Sequence, residues 1–187
     1  MKIIDETDDD LKCLIEVDFG LLQTRADLHG ALLDWLTFRA RKIPARPRQV
    51  VISSEVQAVA NQYPAIQQIV RALQSGADVS PWLSDRVRNK KKSHKADMMF
   101  NDWKISHFHL GKIWLTTQRI SRTSDLLYTF VSADLAVLLN IGPHGRWTEQ
   151  NLLEILEHTH PSGLEFELKG VTPAKSFTDK ERGNLRS

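Results

Sequence analysis

At 187 residues the chain is long enough to bury one sizeable core, with or without a helical appendage, and too short for several independent ones. Hydrophobic residues at 41% and charged residues at 26% exclude a globally disordered chain, and no run approaches the about eighteen apolar residues that a membrane span needs. The formal charge of +2 excludes a uniformly basic nucleic-acid binder, and the single Cys13 excludes an intrachain disulfide or a cysteine zinc knuckle.

The acidic opening MKIIDETDDDLK lacks the basic flank and apolar run of a secretory signal, so a cytoplasmic protein with no membrane partner is expected. In LKCLIEVDF (11–19), Leu11, Cys13, Ile15, Val17 and Phe19 alternate with mostly polar neighbours, which predicts a half-buried strand. Leu28, Ala31, Leu32, Trp35 and Leu36 then recur at helical spacing. Thr24 with Asp27 marks the start of that helix, and Pro44 and Pro47 end it.

After a brief apolar VVI, Ser53 opens a further helical stretch. YPAIQQIVRALQSG places Ile66, Ile69, Val70 and Leu73 on one stripe before a stop at Gly76, and Ser80 with Pro81 forms a cap and first-turn pair. Residues 24 to about 90 therefore read as mainly helical.

Composition changes at RNKKKSHK (88–95). WKISHFHLGKIWLTT (103–117), DLLYTFVSADLAVLLNIG (125–142) and LEFELKG (164–170) have period-two or continuously apolar character. The middle segment breaks at SAD and predicts a hairpin of Leu126–Val131 with Leu135–Ile141. Gly142, Pro143 and Gly145 end it, and TEQNLLEILEH predicts a short helix capped by Thr148, with Leu152, Leu153, Ile155 and Leu156 inward. From Val171 onward the polar tail is expected to fray. The whole reads as an α+β protein, with a mainly helical region (1–92) packed on an antiparallel sheet region (93–170) that carries one short helix, followed by a tail (171–187).

The chemistry-bearing residues are the histidines, of which there are seven. In an extended WKISHFHL, Ile105, His107 and His109 share one face, and Ser106, Phe108 and Leu110 the other, so that one face is apolar and the other carries two imidazoles. Pairing of neighbouring strands brings His107 or His109, Arg119 or Arg122, and His144 of the GPHGRW turn toward one sheet surface. Such a set can cleave RNA without metal or cofactor. One imidazole removes the ribose 2′-OH proton, an arginine steadies the phosphoryl oxygens, and the second imidazole protonates the leaving 5′-oxygen. Arg88, Lys90, Lys91, Lys92, His94, Lys95 and Arg146 are candidates to grip the RNA backbone.

The same residues admit plainer roles. His107 and His109 can be a half-buried pair bonded to backbone, His144 an exposed loop residue, and His158 and His160 partners of a helix C-terminus. The His-x-His pair with Asp97 and Asp102 upstream could instead ligate a metal. DMMF (97–100), Trp103 and Trp114 read as core. Trp147 could stack on a base, although core or rim packing suits it better.

KADMMFNDWKISHFHLG followed by RTSDLLYTFVSADLAVLLNIGPHGRWTEQNLLEILEHTHP resembles a family of small, uncharacterised bacterial proteins in which Asn-Asp-Trp, His-x-His-Leu-Gly and Pro-His-Gly recur in that order. The likeness covers about residues 60–161 and implies no particular activity. Within it, RTSDLLYTFVSADLAVLLNIGPHG is similar to the RelE-type and barnase-like RNases, the toxin halves of bacterial toxin–antitoxin pairs. That likeness implies a phosphate-holding role for Arg122 and an acid role for His144, although those toxins are shorter and usually lack a helical N-terminal half and a His-x-His strand.

The resulting expectation is a metal-independent endoribonuclease acting as a bacterial toxin or phage-defence effector, with RNA as substrate and an antitoxin or other neutralising protein as partner. A non-catalytic nucleic-acid- or protein-binding module and a metal-dependent phosphoesterase are the alternatives.

Overall fold

The computed structural model describes residues 7–19, 27–88, 97–116, 119–145, 150–161 and 177–184, without the side chains of Phe19, Arg86 and Arg88. In chain order the elements are α1 (Thr7–Phe19), α2 (Leu28–Arg41), β1 (Gln49–Ile52), α3 (Ser54–Val59), α4 (Ala65–Ser75), α5 (Asp85–Arg88), α6 (Met98–Trp103), β2 (Ile105–His109), β3 (Trp114–Thr116), β4 (Arg119–Ile120), β5 (Asp125–Val131), β6 (Leu135–Pro143), α7 (Asn151–Thr159) and α8 (Asp179–Asn184). Short 3₁₀ turns occupy Ala60–Gln62 and Ser80–Trp82. The fold is α+β, as the sequence predicts, and falls into two compact units.

The first unit contains α1, α2 and α5. Segment 11–19 is helical rather than extended, because Leu11 and Ile15 stand one turn apart and together meet α2. Ile15 is buried with Ala31 and Trp35, while Cys13 and Val17, inward in the strand reading, are exposed. Asp8, Asp9 and Asp10 in the first turn suit the positive end of the helix dipole. Trp35 Nε1 donates to Asp18 Oδ2 at 2.8 Å, tying the two helices together. Asp27 caps α2 by accepting from the Gly30 amide at 2.6 Å; Thr24 lies outside the described residues.

The second unit contains the remaining elements and is organised by a four-stranded sheet in the order β1-β6-β5-β2. It is mixed rather than wholly antiparallel: VVI enters as an edge strand parallel to β6, and between the two in sequence lie several helices together with β2 and β5 of the same sheet. The chain entering β1 is latched by Arg48, a buried guanidinium that donates from Nε to Ser132 O and from Nη1 to Pro44 O and Arg46 O, each at 3.0 Å.

The predicted hairpin forms from β5 and β6, with a bulge opposite Tyr128 and Thr129. Both of its faces are covered, which is why its sequence is continuously apolar. On one face Ile105, Leu126, Tyr128, Phe130, Val137 and Leu139 pack with Met99, Leu152 and Leu156. Phe108 and Leu127 on the alternate positions are also fully buried. The division of β2 into an apolar face and an imidazole face is therefore replaced by a division along the strand: the histidine-bearing face begins as core at Ile105.

Residues 103–117 do not form one strand. Trp103 ends α6, Lys104 turns the chain with a φ of 56°, and a separate two-stranded sheet of β3 and β4 follows β2. Leu152 and Leu156 of α7 are buried, and Leu153 and Ile155 partly so; Thr148 and LEFELKG lie outside the described residues. The polar tail contains a helix, α8, whose Arg182 Nη1 donates to Gln150 Oε1 at 3.0 Å at the start of α7.

Phe108 of β2 has no exposed surface. Phe108→Ala is expected to lower stability by about 3–5 kcal/mol. Urea denaturation monitored by circular dichroism measures this, and a loss under about 1 kcal/mol would contradict the burial described.

Candidate active site

The site grows from the end of β2, which pairs with β5 along its length: His107 stands opposite Tyr128 and His109 opposite Leu126. Alternation along the strand projects both imidazoles from the same face. His144 follows directly on β6, two strands away, and the three rings meet over β5. Ring centroids are 6.4 Å apart for His107 and His109, 5.9 Å for His107 and His144, and 5.7 Å for His109 and His144. The Tyr128 hydroxyl donates to the Pro143 carbonyl at 2.5 Å, fixing the backbone immediately before His144.

His109 is almost wholly buried, at 3% exposure. Its Nε2 lies 2.5 Å from Arg122 Nη1, and its Nδ1 accepts from the Thr123 amide at 3.3 Å. A neutral imidazole has one acceptor nitrogen, so these donors compete for it, and a ring protonated on both nitrogens would meet a donor at each. Burial, reinforced by the Arg122 charge and the neighbouring imidazoles, pushes its pKa from the usual 6.5 down to about 3. His109 is thus a weak proton acceptor at neutral pH, and its geometric effect is to seat Arg122.

His107 is placed differently. Its Nδ1 lies 3.9 Å from Asp97 Oδ2, and both side chains are largely buried. The other carboxylate oxygen of Asp97 caps α6 by accepting from the Phe100 amide at 3.2 Å. A helix cap thereby holds a carboxylate beside His107, which favours a proton on Nδ1 and a lone pair on Nε2. Of the two strand histidines, His107 is the one with a carboxylate beside it.

The neck between β2 and Arg122 is closed by several contacts. The Leu110 amide donates to Thr123 Oγ1 at 3.0 Å, and Thr123 Oγ1 donates to Asp125 O at 2.6 Å. The Ser121 amide donates to Ile113 O at 2.8 Å. A Cβ at Gly111 would stand 2.0 Å from Ser121 O, so the glycine of His-x-His-Leu-Gly is required by close backbone approach.

Four of the five residues proposed from sequence as catalytic thus come together: His107, His109, His144 and Arg122. Arg119 is exposed on β4 and pairs with Thr116, whereas Arg122 places its guanidinium against His109. Arg88 ends α5, but its side chain is outside the description, as are Lys90, Lys91, Lys92, His94, Lys95, Arg146 and Trp147 altogether. His160 closes α7, its amide donating to Leu156 O at 2.8 Å. Among the described residues no group of three or more His, Cys, Asp or Glu side chains is arranged to hold a metal ion.

Sequence reasoning missed Thr123 and Tyr128, and read Asp97 as a metal ligand or, within DMMF, as part of the core. An aspartate immediately before a short apolar helix was a legible capping signal; that its second oxygen faces His107 was not. No protein-family model, curated protein or solved structure matches the chain.

The depressed proton affinity of His109 has a consequence for stability. Above pH about 6.5 the ring is neutral folded and unfolded, and contributes no pH dependence. Between about 6.5 and 3 the unfolded chain takes up a proton that the folded ring refuses, so stability falls as pH falls, by up to about 1.4 kcal/mol per pH unit. Urea denaturation at pH 7.5 and 5.5 should show wild type losing about 1 kcal/mol more than His109→Gln. Equal losses would mean that His109 titrates normally.

Proposed function

We propose that the protein is a metal-independent endoribonuclease. The observation that carries this reading is the meeting of three imidazoles and the Arg122 guanidinium in one cluster, with His107 backed by Asp97 and His109 held against Arg122. His107 takes the proton of a ribose 2′-OH through Nε2. The 2′-oxygen attacks the adjacent phosphorus, Arg122 neutralises the phosphoryl oxygens, and His144 gives a proton to the departing 5′-oxygen. His109 works through Arg122, as its positioning residue.

RNA suits this set because it carries its own nucleophile beside the phosphorus, so the enzyme has only protons to move and charge to neutralise. An activity against cellular RNA fits a toxin or defence effector acting in the cytoplasm and restrained by a neutralising protein. The metal-dependent reading needs a ligand set that His109, engaged with Arg122, does not complete.

Purified protein incubated with total RNA in excess EDTA should cleave it. His107→Ala and His144→Ala should each reduce the rate by about 10²–10⁴-fold, and Arg122→Ala by about 10²–10³-fold. RNA left intact by wild type, or cut equally well by both histidine variants, refutes the proposal.

A further inference from the structure

The chain leaves the site at His109 and returns to it at Arg122, and the excursion between them carries β3 and β4. Trp114 on this arm, which the sequence suggests is core, is 46% exposed, and Ile113 and Leu115 on either side are exposed too. The arm is nevertheless anchored: Ile120, the cross-strand partner of Trp114, is buried. Trp114 also meets the buried indole of Trp82 at 5.3 Å between centroids and a near-perpendicular 76°. Trp82 is itself fixed beside β2, because the next residue, Leu83, bridges to Phe108. The contact orients the Trp114 indole while leaving nearly half of the residue open to solvent.

We propose that Trp114 is a stacking platform for a nucleobase of single-stranded RNA, a subsite of the same centre; this rests on the ribonuclease reading above. Three observations favour that occupant. The arm's neck is the His109–Arg122 contact, so platform and phosphate clamp belong to one substructure. Trp114 stands five residues along from His109, a reach of at most about 17 Å even if fully extended, which a few nucleotides can cover. Lys112, also exposed, places a positive charge on the same arm for the backbone between. Stacking on an oriented indole accepts any base, whereas a paired base in a duplex keeps its faces covered.

The test is binding of the full chain to a short single-stranded oligoribonucleotide carrying 2′-O-methyl groups throughout, which removes the nucleophile, measured by fluorescence anisotropy against the same strand in a duplex. Wild type should prefer the single strand. Trp114→Ala should weaken single-strand binding by about tenfold or more, Trp114→Phe should recover most of it, and duplex binding should change little for either. Thermal melts should show both variants folded, with Trp114→Phe near the wild-type temperature and Trp114→Ala lower by only a few degrees for loss of the Trp82 contact.

Equal binding by wild type and Trp114→Ala overturns the platform, as does loss that Trp114→Phe fails to restore. If total RNA is still cut in EDTA in that case, the ribonuclease reading survives alone. Wild type that neither binds the single strand nor cuts RNA overturns both.

Discussion

Two donors converge on one buried imidazole: the Arg122 guanidinium at Nε2 of His109 and the Thr123 amide at Nδ1. The contact joins the end of β2 to the segment entering β5, with the whole β3–β4 arm lying between the joined residues. It holds only because the neck can close, through the Thr123 hydroxyl and through the absence of a side chain at Gly111. It also fixes the charge state of the centre. Burial beside a permanent cation keeps His109 neutral, which leaves Arg122 as a constant positive charge; in the proposed reaction the other two imidazoles carry the protons.

The surrounding fold supplies rigidity at that point. β5 and β6 are apolar on both faces and pack as the middle of the sheet, so residues projecting from β2 and the end of β6 sit on a frame with little freedom to shift. Tyr128 links two corners of the imidazole cluster, paired with His107 across the ladder and bonded to the carbonyl just before His144. Asp97 adds a third fixed point by serving two purposes, with one oxygen on a helix N-terminus and the other toward His107. Preorganisation of this kind is what acid–base and electrostatic catalysis need, since charge stabilisation costs least when the groups do not have to move.

Much of this was legible in the residues. The SAD-centred hairpin, the helical stripe ending at Gly76 and the placing of both strand histidines on one face followed from periodicity and turn chemistry. Segment 11–19 misled because Leu11 and Ile15 satisfy both a period of two and a helical turn, and only contact with α2 decides between them. The parallel pairing of β1 was hidden because a four-residue strand carries no signal of direction. Trp114 misled because aromatic bulk suggests burial, whereas the arm carrying it projects beyond the core. The difference between His107 and His109 depends wholly on tertiary neighbours, Asp97 for one and Arg122 for the other, and no spacing in the sequence encodes it.

The central claim, as proposed, is that the cluster takes the proton from RNA's own 2′-hydroxyl and gives one to the departing 5′-oxygen, and the ends of the cleaved strands record this directly. Mass spectrometry of the fragments from a short oligoribonucleotide incubated in EDTA should find a 2′,3′-cyclic phosphate on one fragment and a free 5′-hydroxyl on the other. A 5′-phosphate with a 3′-hydroxyl would contradict the account, because those ends come from water rather than the 2′-oxygen attacking phosphorus.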